Sequence, residues 1–126
     1  MAALLAQLVS VRTENPPGIN YRACADLLER VLYNAGLACE RHEFPASVAR
    51  PNETNESAPS LTAKFGSGKR TLYFHGHYDV VPAQSTEQFQ PVHKEHFVFG
   101  RGSCDMKGGI VSMLYAIRVP AGNSLL

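Results

Sequence analysis

Apolar residues recur at helical spacing twice near the start of the chain and once near its end. Leu4, Leu5, Leu8 and Val9 predict a short amphipathic helix over about residues 2–11. Asn15-Pro16-Pro17-Gly18 ends it, because tandem prolines cannot continue a helix. Tyr21, Cys24, Leu28, Val31, Leu32 and Ala35 form a second stripe, with Asn20 as N-cap and Gly36 as the C-terminal stop. Leu37 to Phe44 alternates and predicts a strand. Residues 45–59 read as a polar loop carrying Pro45, Pro51 and Pro59, residues 60–65 as a second strand, and Gly66-Ser67-Gly68 as a turn. Leu72, Tyr73 and Phe74 stand in a row within a third predicted strand, residues 71–75. An uninterrupted apolar run implies burial on both faces, as in a covered parallel sheet. Residues 80–91 read as a loop and Phe97-Val98-Phe99 as a short strand. A Gly-rich stretch over 100–109 precedes a helical pattern over 110–119 (Ile110, Met113, Leu114, Ile117), which Pro120 ends. Helices alternating with strands argue for an α/β layered fold, where ligand sites collect at the carboxyl ends of strands.

Composition narrows the function classes. The chain has 126 residues, enough for one domain, and 44% are hydrophobic. Lys plus Arg number 12 against 11 acidic residues, so no basic excess exists to hold nucleic acid. No apolar run approaches the ~20 residues that span a bilayer. Cys24, Cys39 and Cys104 cannot all pair within one chain and match no zinc-knuckle spacing, which suits reduced thiols in the cytoplasm. The apolar start has no preceding basic residue and no small-residue cleavage pattern, so it does not read as a signal peptide. Two sequons, at Asn52 and Asn55, read as part of the polar loop.

Two polar clusters carry candidate chemistry. The first is His75-Gly76-His77-Tyr78-Asp79, at the end of the third predicted strand. Imidazole is the commonest metal ligand, and a ligating His donates its other N–H to a carboxylate. Residues i and i+2 share one side of an extended chain, so Asp79 can orient His77 while His77 holds a metal. Chance pairing of common residues gives the same pattern. The second cluster runs from Gly100 to Gly109, with Asp105 an isolated carboxylate among small residues. Such a carboxylate can bridge two cations or, more plainly, cap the following helix. Gly66-Ser67-Gly68-Lys69 lacks the following Ser/Thr and the leading glycine of a phosphate loop, and it precedes a strand. Gly100-Arg101-Gly102 has Asp105 where a dinucleotide fingerprint needs glycine. No G-x-S-x-G is present. Cys104 lies near Arg101 and Lys107 in sequence, but nothing fixes a base beside it.

Taken together, His75-Gly76-His77-Tyr78-Asp79-Val80-Val81-Pro82, Phe89-Gln90-Pro91 and Gly100-Arg101-Gly102-Ser103-Cys104-Asp105-Met106-Lys107-Gly108-Gly109 closely resemble the M20 metallopeptidase family. That family includes acetylornithine deacetylases, succinyl-diaminopimelate desuccinylases, aminoacylases and glutamate-releasing carboxypeptidases. Asn15-Pro16-Pro17-Gly18 resembles their opening. The resemblance implies that residues 1–126 are the amino-terminal part of an M20-type catalytic domain: a partial three-layer α/β/α zinc-peptidase-like domain with a mixed sheet. By the same resemblance His77 ligates one zinc, Asp79 is its partner and supports the catalytic base, and Asp105 bridges two metals. Asp105–Met106 is implied to be a cis peptide. Two zinc ions, or cobalt or manganese in their place, would acidify a bridging water and polarise the scissile carbonyl. A glutamate would move the proton to the leaving amine. The implied substrates are N-acyl amino acids or short peptides.

The chain also departs from that pattern. It contains no Glu-Glu pair, which in the family supplies the general base and a zinc ligand. Two expected metal ligands fall short of the three or four that a zinc site uses. The expectation is therefore an amide-bond hydrolase that is incomplete and inactive as this chain alone. The alternative is a non-catalytic remnant that folds partly and binds a partner or homologue. Either leaves an exposed sheet edge through which copies can associate. A third reading, an unrelated metal module using His75 and His77 together, needs a much longer β/α barrel chain.

Overall fold

A computed structural model of the chain describes residues 1–45 and 57–121. The two sequons and the final residues, 122–126, lie outside the described residues. Helix α1 spans Ala2–Ser10 and buries Leu4, Leu8 and Val9. Helix α2 spans Tyr21–Asn34 and buries Tyr21, Cys24, Leu28 and Val31, the stripe expected from their spacing. A full Schellman motif closes it: Gly36 N–H donates to Tyr33 O and Leu37 N–H to Leu32 O. The motif needs a left-handed residue, and Gly36 takes φ +75° without a Cβ penalty. The start of α2 differs from expectation. Asn20 is itself left-handed (φ 57°) and makes no side-chain cap. Its Nδ2 donates instead to Arg12 O at 2.8 Å, fastening the turn to the segment that leaves α1.

Strands β1 (Ala38–Phe44) and β2 (Ala58–Lys64) pair antiparallel, with Ala38 opposite Lys64 and Phe44 opposite Ala58. Arg41 ties β1 to α2 through Asp26 and to its own strand through Glu43 Oε1 at 2.7 Å. Strands β3 (Val92–Lys94) and β4 (Phe97–Phe99) form a second antiparallel pair around a tight turn at Glu95. Helix α3 spans Lys107–Ala121. It starts three residues earlier than its apolar pattern, and Pro120 lies inside it. The chain is a partial α/β domain of helices and small antiparallel sheets.

The core gathers Leu4 and Leu8 of α1, Cys24, Leu28 and Val31 of α2, Leu37, and Ile110, Val111 and Leu114 of α3. Burial pushes the Cys24 thiol up to about 11, so it behaves there as a small apolar group.

The third predicted strand does not form. Residues 71–75 join neither sheet, and Leu72 and Tyr73 are 77% and 86% exposed. A strand exists only as part of a ladder, and among the described residues none pairs with this segment. Its apolar run encodes burial between layers that the described residues do not supply. Instead Leu72, Tyr73 and Phe74 line an open groove of about 750 Å³, floored by Leu28, Ile110 and Leu114.

Candidate metal centre

Residues 11–15 run from the end of α1 as an extended strap alongside residues 78–83. Asn15 N–H donates to Val80 O, and Val80 N–H donates to Thr13 O, each at 2.8 Å, making a parallel bridge at Glu14 and Val80. The Thr13 hydroxyl, fully buried, donates to Tyr78 O. Glu14 accepts from the Ala83 N–H at 2.9 Å and from Arg12 Nη2 at 2.8 Å. The strap therefore fixes the stretch that carries His77 and Asp79.

Glu14 gives a pH prediction. The Ala83 N–H, then the Arg12 hydrogen bond and charge, hold its carboxyl below its ordinary 4.5 against an opposing desolvation. A lowered folded pKa means stability that is complete above 4.5 and lost as pH falls through the folded value. Glu14→Gln keeps an acceptor for Ala83 but loses the charge. At neutral pH the variant is expected to be less stable by about 1–2 kcal/mol. The gap should close in acid, as read by urea unfolding across a pH series. A gap independent of pH would show that the charge contributes nothing.

Lys107 fixes the other half of the site. It is fully buried at the start of α3, and its Nζ donates to Leu8 O at 2.9 Å and Val11 O at 2.8 Å. Burial lowers its pKa. The ammonium closes the carbonyl end of α1, where the helix dipole favours a cation. The preceding turn is drawn in by Lys107 N–H donating to Gly102 O at 3.0 Å. Phe89, buried under the Arg12 guanidinium at 5.4 Å, anchors the loop between the two clusters.

These supports bring His77, Asp79 and Asp105 together. His77 Nδ1 lies 3.1 Å from both the backbone O and the Oδ1 of Asp79. His77 Nε2 lies 3.3 Å from Asp105 Oδ1. Asp79 Oδ2 accepts from Asn15 Nδ2 at 2.8 Å. The Asp105–Met106 peptide is cis, the geometry the resemblance implies. His75 is exposed on the adjoining stretch. Asp105 is 88% exposed at its side chain and stands at the mouth of an open cavity of about 820 Å³, lined also by Asn15, Gln88 and Arg101. Arg101 donates to Gln88 Oε1 at 3.3 Å, while its buried Nε lacks a partner among the described residues.

The donor set has a definite chemistry. Nδ1 faces two acceptors and Nε2 faces the Asp105 carboxylate, and the tautomer with the proton on Nδ1 leaves the Nε2 lone pair toward Asp105. In that tautomer Nε2 and the Asp105 carboxylate are two acceptors 3.3 Å apart, an arrangement that a metal cation or a proton between them satisfies. Two ligands each ~2.0–2.1 Å from a tetrahedral zinc stand roughly 3.3 Å apart. The pair fits one edge of such a sphere. Among the described residues no group of three His, Cys, Asp or Glu side chains completes it.

Asn15 and Lys107 were not recognisable from the sequence as parts of this site. Asn15 reads as a helix-ending turn, and Lys107 as a charge near Cys104. Their only sequence signal is membership of the blocks that carry the family resemblance.

Residues 73–123, which hold His77, Asp79 and Asp105, match the family model described as peptidase family M20/M25/M40. Over 100 residues the chain is 34% identical to a succinyl-diaminopimelate desuccinylase of Acidovorax ebreus, covering 75% of this chain and 26% of that protein. It is 37% identical over 98 residues to succinyl-diaminopimelate desuccinylase 1 of Alteromonas mediterranea, covering 74% and 22%. A probable succinyl-diaminopimelate desuccinylase of Staphylococcus epidermidis is 31% identical over 128 residues, covering 97% and 28%. The chain spans about a quarter of the length of these curated relatives.

Proposed function

We propose that the chain, whose residues 73–123 match the model of peptidase family M20/M25/M40, carries one part of a zinc-dependent amide hydrolase site, within the amino-terminal part of the catalytic domain. The observation that carries this reading is the pair of acceptors, His77 Nε2 and Asp105 Oδ1, held 3.3 Å apart. His77 and Asp105 would hold the metal, with cobalt or manganese as possible substitutes. When bound, the metal supplies a polarised carbonyl and an acidified water. Asp79 keeps the Nδ1 proton in place, so the imidazole presents Nε2 outward. The adjoining cavity admits a small substrate, and the desuccinylase names of the relatives favour an N-acyl amino acid or short peptide. Three unpaired thiols favour a cytoplasmic setting.

With two protein ligands and no Glu-Glu pair, these 126 residues alone should bind metal weakly and turn over nothing. The apolar groove at Leu72, Tyr73 and Phe74 favours a second reading, a remnant that associates with a homologue or with itself. Cobalt(II) titration followed by visible absorption tests the metal reading. His77→Ala and Asp105→Ala should each weaken binding more than about tenfold, and Asp79→Ala about 10–100-fold. His75→Ala should leave it unchanged. Equal losses from His75→Ala and His77→Ala would transfer the site to the H-x-H pair. Metal-dependent hydrolysis by the chain alone, abolished by Asp105→Ala, would overturn its proposed inactivity.

A further inference from the structure

We propose that Asn15 is a positioning residue of this centre, acting through Asp79 to hold His77 in the tautomer that leaves Nε2 free. Its purpose rests on the metal reading above, although its geometry does not.

A carboxylate turns easily about its terminal torsion, where the rotamer wells are broad. Asp79 is one-third exposed at its side chain, so packing alone does not set its plane. Asn15 Nδ2 engages Oδ2 at 2.8 Å and leaves Oδ1 aimed at His77 Nδ1, 3.1 Å away. The donor is itself fixed in place. The Asn15 backbone N–H is bonded to Val80 O, Thr13 is bonded on both sides of Tyr78–Val80, and Glu14 is bonded to Ala83. The amide is thus carried on a strap already fastened to the segment that bears Asp79.

The residue type suits the task. A lysine or arginine at this position would pair with Asp79 as an ion and compete for the charge that the imidazole N–H needs. A neutral amide donor orients the carboxylate while leaving its negative charge facing His77. The three groups form one directed chain. The amide N–H points to one carboxylate oxygen, and the imidazole N–H points to the other. The imidazole lone pair is then left facing Asp105.

The test reads the His77 tautomer by long-range proton–nitrogen NMR on the metal-free 126-residue chain. It is run at a pH where the same spectra show the imidazole in its neutral form, and His77 is assigned by loss of its signals in His77→Gln. The wild-type chain should show the Nδ1–H form predominating. Asn15→Leu, which keeps similar bulk but removes the donor without adding charge, and Asn15→Ala should each move the ratio toward Nε2–H by at least about fivefold, the ~1 kcal/mol of one hydrogen bond. Thr13→Val loosens the same strap without touching the Asp79 carboxylate and should move the ratio less than either Asn15 variant does. An unmoved ratio in a folded Asn15 variant, or an equal shift in Thr13→Val, overturns the assignment. If both Asn15 variants lose backbone amide dispersion, Asp79→Asn decides from the other end. It should shift the Asn15 side-chain amide resonance, and an unmoved resonance overturns the assignment. Zinc titration of the same samples separates the two readings. A wild-type chain that ignores zinc but shows the Nδ1–H tautomer fails the metal reading alone. A wild-type chain in the Nε2–H form that still takes up zinc fails this one alone.

Discussion

Lys107→Ala is expected to destabilise the chain by about 4–6 kcal/mol, a large share of its stability. The reason is the position of its ammonium. It is fully buried, and it is the hydrogen-bond partner of Leu8 O and Val11 O at the carbonyl end of α1. Truncation leaves Val11 O without that donor, at about 1–3 kcal/mol, while Leu8 O keeps the Val11 N–H at 3.2 Å. It also opens a cavity where the aliphatic stem ran, and large-to-alanine core changes cost ~2–5 kcal/mol. Removing a buried charge returns part of this, because the ammonium is itself poorly solvated, as its lowered pKa records. Domains of this size have only ~5–15 kcal/mol in hand. Lys107→Met fills the space without the donors and should cost less, about 2–4 kcal/mol, so the pair separates hydrogen bonding from packing. Urea unfolding monitored by circular dichroism measures both. A Lys107→Ala midpoint matching the wild type would mean that the ammonium does not hold α1.

Gly108→Ala should be the next most damaging change, although alanine is the best helix former. Gly108 lies in the first turn of α3, beneath the loop that presents Asp105. A Cβ there would sit 2.3 Å from Ser103 O, a backbone atom with no flexible end to move aside. Something must shift, and overpacking of this kind costs about 1–3 kcal/mol or more. The shift falls on Ser103, two residues before Asp105, so the 3.3 Å approach of Asp105 to His77 should be lost with it. Gly109→Ala is the matched control. Its Cβ would meet Met106 Cε at 3.3 Å, the end of an unbranched side chain. There the helix-propensity gain of up to ~1 kcal/mol should offset the crowding. Thermal melts and cobalt titration of the two variants check the contrast. Equal behaviour would mean that Ser103 yields freely.

Local periodicity made part of this architecture readable in advance. The stripe from Tyr21 to Ala35 and the Gly36 stop are visible because a helix repeats its burial every 3.6 residues. The paired strands β1 and β2 were visible from alternation and flanking turns. Residues 71–75 read as a strand because Leu72, Tyr73 and Phe74 have the composition of one. A ladder, however, is a property of two segments, and composition describes only one of them. Asn20 has the side chain of a cap, yet its left-handed backbone turns it toward Arg12 instead. His77, Asp79 and Asp105 were readable as a family motif. Asn15 was not readable as their support, because its bond to Asp79 joins positions 64 apart and leaves no local signature. Lys107 was misleading in the same way, since a lysine reads as surface until a specific pair of carbonyls is found to surround it.

The Lys107–Leu8 bond spans 99 positions of chain. Helix α1 therefore cannot find its seat until Lys107 has been made. Until Lys107 has emerged, the carbonyl end of α1 must be satisfied by water and its apolar face by whatever lies nearby. Contacts this remote in sequence slow folding, since the loop between them has to close before they contribute. Co-translational assembly of this chain would then begin in the middle, with α2 against the β1–β2 pair. The strap that orders the candidate metal centre would fall into place only once residues 78–83 are available to it.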